Sequence, residues 1–455
     1  MATGNERGSF GGALGFILAA AGSAVGLGNL WKFPYLCYRT GGGTGAEGTG
    51  AGAFVLSYIA AVLLLGIPVM LAEIILGRRS RQGPVGAFKA LALGKRWHWV
   101  GILGVTTGFV LLSYYSVVAG WTGEYLFQAA SGTFGSITPE GANTLFSAFL
   151  ANPGKQVGWL VVIMGVTMLI VAGGVSAGIE RMSKIMMPAL LLMLLGLLAL
   201  ALTLPGGGQA LAYLFRPDFT NFGMSTVLDA MGQAFFSLSL GMGAIITYGS
   251  YVEKRELVIT SAFSIAIIDT LVALMASVVI FSILFSFNTT MEGSGISNIF
   301  TAIPILFAKL PGGSVTVVIF YLLVVLAAIT STISLLEVVV SHFIDRRGWP
   351  RRKAVLVLGG AITLLGIPSA LSFNLLADYT LFGKTFFDLA DYLCANWALP
   401  LGGLFTALFA GWILARHHKT EELGTGPFFR YWQFTVRFVS PLLIVGIMVW
   451  ILFAA

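Results

Sequence analysis

The hydrophobic positions of this chain fall in long blocks, and the polar positions gather in short intervals between them. Eleven stretches are apolar over a length that crosses a bilayer as helix, near 10–38, 52–77, 98–129, 155–174, 182–203, 229–252, 257–288, 314–343, 352–372, 385–415 and 428–454. The pattern predicts an all-α polytopic membrane protein of about 11 transmembrane helices, here spans 1 to 11, in a single domain over 1–455. The interval 289–313, "TTMEGSGISNIFTAIPILFAKLPGG", is half apolar. It is expected to fold back as short helices, a segment able to act as a lid.

Two spans interrupt the block pattern. Span 1 contains "AGSAVGLGNLWKFP", Ala21 to Pro34, and span 6 contains "SLSLGMGA", Ser237 to Ala244. Each places a Gly-apolar-Gly step in mid-span beside small hydroxyl residues, and they lie five spans apart. Irregular backbone at membrane depth persists only where protein or a cavity satisfies it. A break frees carbonyls, which suit a small hard cation, and amides at a positive dipole end, which suit a carboxylate. Paired breaks of this kind point to the binding site of a transporter. Close packing of Gly and Ser faces is the structural alternative.

Composition closes off other classes. Mean hydropathy is +0.90. Hydrophobic residues make up 57% and charged residues 10%, against about 25% charged in soluble domains. The net charge of +7 invites an acidic partner, but its distribution explains it otherwise. With the N-terminus inside, twenty of the 26 lysines and arginines fall on the inner side, and Lys32, Arg39, Lys155, Arg216, Lys309 and Lys384 fall on the outer. No nucleic-acid or obligate protein partner is implied. The expected location is the cell inner (plasma) membrane, multi-pass, N-terminus cytoplasmic and C-terminus outside. "MATGNERGSF" is short and polar, with no cleavable signal expected. Cys37 and Cys394 read as small packing residues. His98, His342, His417 and His418 all sit at span ends without a nucleophile or metal-ligand spacing, so no enzyme is expected.

The candidate chemistry begins with Asp269, about twelve residues into span 7 and near the bilayer centre. A carboxylate there costs roughly 2.5–3.5 kcal/mol on insertion scales. No lysine or arginine lies at comparable depth, so its partner is a cation, a proton or a cluster of hydroxyls. Asn29, Ser237 and Asp269 make a sodium-type oxygen set if spans 1, 6 and 7 meet. Ala327, Thr330 and Ser331 in span 8 offer a second set, although such hydroxyls often bond their own i−4 carbonyl. Glu73 in span 2 reads as structural or functional near the site, and Glu337 in span 8 has no assigned role.

At these motifs the chain resembles a known family. "GFILAAAGSAVGLGNLWKFP", "IPVMLAEIILGRRS", "GIERMSKIMMP" and "GQAFFSLSLGMGAIITYGSYV" are similar to the neurotransmitter:sodium symporters, nearest the bacterial hydrophobic and aromatic amino-acid transporters. Broken helices are a known trait of that family, so the breaks are not independent support. The resemblance implies a 5+5 inverted-repeat fold, about 10–203 and 229–415, with 428–454 as an extra helix. It implies a first sodium site of Ala24, Asn29, Ser237 and Asp269, and a second of Gly22, Val25, Ala327, Thr330 and Ser331. The substrate would lie against Ala24, Leu27, Gly28, Leu111, Tyr115, Phe236, Ser237, Ser239, Met242, Ser331 and Leu335. Lys32 and Asp391 match an outer gate, Arg7 and Asp345 an inner gate with Tyr251 beside it, and Gly178 and Pro188 a break in span 5.

The chain departs from that pattern in places. Lys32 stands where arginine is usual and lacks the bidentate fork. The loop "RTGGGTGAEGTGAGAF" is longer than usual, and eleven spans replace the twelve of many members. Asp269 replaces the asparagine of the chloride-dependent animal relatives, and Ala273 stands where some bacterial members carry glutamate. A fixed carboxylate beside the first sodium predicts chloride independence.

The apolar pocket with a flexible methionine, and no charged side chain mapped to it, favours neutral hydrophobic L-amino acids, tryptophan included. Sodium-coupled import by alternating access is the leading expectation. An amino-acid-binding sensor without transport and a proton-coupled carrier titrating Asp269 are its rivals.

Overall fold

The computed structural model describes residues 8–43, 49–92, 96–135, 137–220, 222–253, 256–291, 295–310 and 312–454. Among these, nine helices are long and apolar enough to cross a membrane unbroken: Gly52–Ser80, His98–Ala130, Pro153–Ala172, Val175–Leu202, Val258–Ser286, Gly313–Arg347, Arg351–Leu371, Phe386–Ile413 and Pro427–Leu452. They are spans 2 to 5 and 7 to 11. Span 1 is the pair Ala13–Ala24 and Gly28–Thr40, bent by 54°. Span 6 is two shorter pieces, Met224–Ser237 and Ala244–Gly249. The set therefore matches the eleven blocks of the hydropathy pattern.

Both breaks follow from local sequence. In span 1 the helix ends at Ala24, and Val25 turns to extended backbone with ψ 96°. The Gly26 N–H then goes to the Asn29 side chain at 3.1 Å and not back to the preceding turn. In span 6 three residues of "LSLGMG" take left-handed backbone: Ser239 at φ 55°, Gly241 at φ 80° and Gly243 at φ 80°. Glycine supplies that conformation freely at two of the three positions.

Small residues hold the breaks close to their neighbours. A Cβ on Gly77 of span 2 would lie 2.0 Å from the Ile246 carbonyl oxygen of span 6. One on Gly402 of span 10 would lie 2.1 Å from the Gly241 carbonyl oxygen. Without hydrophobic drive between helices in lipid, such close backbone approach is what packing rests on.

Span 5 stays helical from Gly178 through Pro188, with a wider π turn over Val175–Glu180. The Glu180 carboxylate reaches span 1, where it accepts the Gly11 N–H at 2.9 Å. The interval 289–313 contains two short helices, Gly295–Phe300 and Ala302–Ala308. Phe300 packs edge-on to Tyr125 and Phe307 stacks on Phe320, so the interval lies over spans 3 and 8. Cys37 and Cys394 are free and buried.

Candidate functional site

Where the two breaks face each other, spans 1, 3, 6 and 8 line a small cavity of about 40 Å³. Its walls include all eleven residues assigned to the substrate from sequence: Ala24, Leu27, Gly28, Leu111, Tyr115, Phe236, Ser237, Ser239, Met242, Ser331 and Leu335. Ser23, Gly26, Asn29 and Ser334 line it as well. Gly26 lies close to span 8, where an added Cβ would be 2.9 Å from Ser331 Oγ and would make that side chain shift. At one end the Leu27 N–H points to the Tyr115 hydroxyl at 3.5 Å. Leu27 and Gly28 open the second half of span 1, so their amides lack an intrahelical acceptor. That end is suited to a carboxylate.

Beside the cavity, Asp269 is completely buried. Asn29 donates to Asp269 Oδ1 at 2.7 Å, and Ser237 Oγ lies 2.8 Å from both carboxylate oxygens. Tyr58 of span 2 donates to Oδ2 at 3.0 Å. The Asn29 amide nitrogen sits where three oxygens converge, Ser237 Oγ at 3.0 Å, the Asp269 carbonyl at 3.1 Å and Oδ1 at 2.7 Å. A buried anion ringed by donors, in contact with no cationic side chain among the described residues, is an arrangement that a small hard cation completes. Tyr58 was not legible in the sequence, because nothing in span 2 marks one tyrosine as facing span 7.

At the second oxygen set spans 1 and 8 touch, but the Thr330 and Ser331 hydroxyls bond mainly to carbonyls of their own helix. Gly22 packs on Thr330, where an added Cβ would be 3.2 Å from the Thr330 Cβ. Thr330 Oγ1 lies 3.0 Å from the Ala327 carbonyl, and Ser331 Oγ lies 3.3 Å from it and 3.4 Å from the Ser23 carbonyl. Val25 is fully buried at the break. The turn from Gly22 to Val25 ends the first half of span 1, which leaves its last carbonyls without intrahelical donors.

The gate residues are placed less uniformly. Lys32 holds its Nζ 4.8 Å over the Phe236 ring. It faces Asp391 within electrostatic reach and forms no ion pair with it. Asp391 also meets the Tyr114 hydroxyl. A lysine point charge lacks the fork that would lock such a gate. At the other end Arg7 lies outside the described residues. Asp345 accepts the Gly83 N–H at 2.8 Å. Tyr251 donates to Glu337 at 2.6 Å, and Arg351 grips the same carboxylate at 2.7 and 2.8 Å. Glu337, left without a role by sequence, is thus the buried half of a bidentate pair between spans 8 and 9 whose Arg351 is partly exposed. Glu73 accepts the Gly241 N–H at 2.8 Å and so satisfies backbone that the span 6 break leaves open.

Comparison with known proteins gives the family and the fold. The model of the sodium:neurotransmitter symporter family matches residues 7–136 and 143–455. An uncharacterized sodium-dependent transporter of Bacillus subtilis is 37% identical over 437 residues, 95% of each chain. One from Haemophilus influenzae is 33% identical over 463 residues, 99% of each chain. The crystal structure of MhsT in complex with L-phenylalanine superposes with a TM-score of 0.88 at 41% identity, covering 97% of this chain and 99% of that one.

Proposed function

The chain belongs to the sodium:neurotransmitter symporter family, and from that premise we propose that it imports neutral hydrophobic L-amino acids, tryptophan among them, with two sodium ions and without chloride. The observation that carries this reading is the convergence of Asn29, Ser237 and Asp269 beside the cavity's carboxylate end. Sodium held there by oxygen atoms would draw in the substrate carboxylate as a further ligand. The solved relative MhsT was crystallised with L-phenylalanine, which supports an amino acid as the cargo. The apolar walls, Leu111, Phe236, Met242 and Leu335, support a hydrophobic side chain. Asp269 supplies the fixed negative charge that chloride provides elsewhere in the family.

Transport follows from two differently exposed states of the same site. Sodium favours the outward state only by binding it more tightly than the inward one. Span 5 would release the second sodium by unwinding between Gly178 and Pro188, where the helix already widens and a proline removes one hydrogen bond. We take 10–203 and 229–415 as the two repeats, with the N-terminus cytoplasmic and the C-terminus outside.

The test is binding of radiolabelled leucine and tryptophan to the purified protein in sodium, potassium or choline buffers across pH. Saturable binding that requires sodium is expected. Equal binding in potassium at every pH would sink the sodium assignment, and pH-driven binding without sodium would favour proton coupling through Asp269. Tyr58→Phe removes one donor from Asp269 Oδ2. It is expected to raise the sodium concentration for half-maximal binding about three- to tenfold. An unchanged sodium titration would mean that Tyr58 does not position the carboxylate.

A further inference from the structure

We infer that Ser23, Ser239 and Ser334 form a hydrogen-bond-accepting floor of the cavity, which selects substrate side chains that carry an N–H or O–H donor, the indole of tryptophan above all. This rests on the amino-acid reading above and names the group that discriminates within it.

The three serines share one end of the cavity. Ser23 precedes the Leu27–Gly28 amides along span 1, while Lys32 follows them. Ser239 follows Phe236 along span 6, and it is Phe236 that lies beneath Lys32. Ser334 stands almost one turn past Ser331 on span 8, toward Glu337. All three therefore lie away from the carboxylate end, and all are buried.

Their hydrogens are already spent. A serine hydroxyl has one hydrogen to give and two lone pairs to receive. Ser239 donates to the Ser23 carbonyl at 2.8 Å, and Ser334 donates to the Ser331 carbonyl at 2.8 Å. Ser23 Oγ lies 2.8 Å from Ser334 Oγ and 3.2 Å from Ser239 Oγ. With both partners' hydrogens committed, Ser23 is the donor to one of them. Most lone pairs of the trio remain open, and no hydrogen is left to offer. The Tyr115 hydroxyl, at the other end, receives the Leu27 N–H.

Such a floor matches a group that only donates. Indole N–H is a donor and never an acceptor, whereas the side chains of leucine and phenylalanine offer neither. The substrate's ammonium does not compete for this place. It hangs on the same carbon as the carboxylate and so stays at that end of the cavity. Ser239 adds an independent sign. It is a non-glycine residue at φ 55°, while the other left-handed positions of the same break, Gly241 and Gly243, are glycine. Strained backbone of that kind persists where the side chain has work at a site.

The test is competition with radiolabelled leucine in sodium buffer by tryptophan, 3-benzothienyl-L-alanine and phenylalanine. Benzothienylalanine replaces the indole N–H by sulfur at nearly equal volume. In the native protein tryptophan is expected to compete about tenfold better than benzothienylalanine. Ser23→Ala and Ser334→Ala are expected to narrow that ratio to about threefold or less. A native ratio near one would overturn the floor while leaving the sodium-coupled reading intact, as would variants that keep the full ratio. Leucine that fails to bind in sodium would remove the transport reading and the floor together.

Discussion

Asp269→Asn is expected to abolish sodium-dependent leucine binding in gluconate buffer, and chloride is expected to restore much of it. The carboxylate is wholly buried and answered only by Asn29, Ser237 and Tyr58, all neutral donors. Sodium would therefore supply the full positive charge in direct contact with this carboxylate. Taking one charge from a buried pair costs about 3–5 kcal/mol, on the order of a hundredfold or more in affinity. Asparagine preserves shape and one acceptor oxygen, so the loss is electrostatic. A chloride ion near Tyr58 and Ser237 would return the missing charge, as in the chloride-dependent relatives that carry asparagine here. The measurement is a sodium titration of binding in gluconate and in chloride, with thermal melting to check folding. Full binding in gluconate would show that Asp269 is not the built-in anion. A folded variant that chloride leaves inactive would refute the charge-replacement account.

Gly241→Ala is expected to lower folding stability by about 3 kcal/mol or more and to remove substrate binding. Two costs coincide at this residue. Its φ of 80° is left-handed, which costs an L side chain about 1–2 kcal/mol. An added Cβ would also lie 2.3 Å from the Leu399 carbonyl oxygen of span 10, and overpacking costs about 1–3 kcal/mol more. The obstacle is backbone, which cannot rotate aside. The residue's own N–H bond to Glu73 would shift with it. Detergent melting and maximal leucine binding measure both effects. Native melting with native binding would show that the break relaxes around the methyl group and that its geometry is not fixed.

The site was legible in sequence to the extent that local chemistry forced it. "SAVGLGN" and "SLSLGMG" place glycines where a bilayer tolerates no open backbone, so a reader of the chain alone locates two breaks. Asp269 announces itself because an acid at that depth requires an answer. What answers it is another matter. Tyr58 shares span 2 with one other aromatic, Phe54, and only the approach of spans 2 and 7 turns its hydroxyl onto Oδ2. Glu337 is an unexplained acid in the sequence and the partner of Arg351 and Tyr251 in the fold. Lys32 lies within electrostatic reach of Asp391, yet the lysine settles over Phe236.

The sequence by itself determined the membrane class, the eleven spans and the two breaks. Hydrophobic length and glycine placement act within one helix and need no partner to be read. Tertiary structure alone decided which side chains meet. Residues such as Ser23 and Ser334 stand 311 positions apart and come within hydrogen-bond distance only through packing. In hydrocarbon every polar group must find a partner, and the sequence states that demand. The crossing of the spans chooses the partner, because it sets which few groups lie within 3 Å of one another.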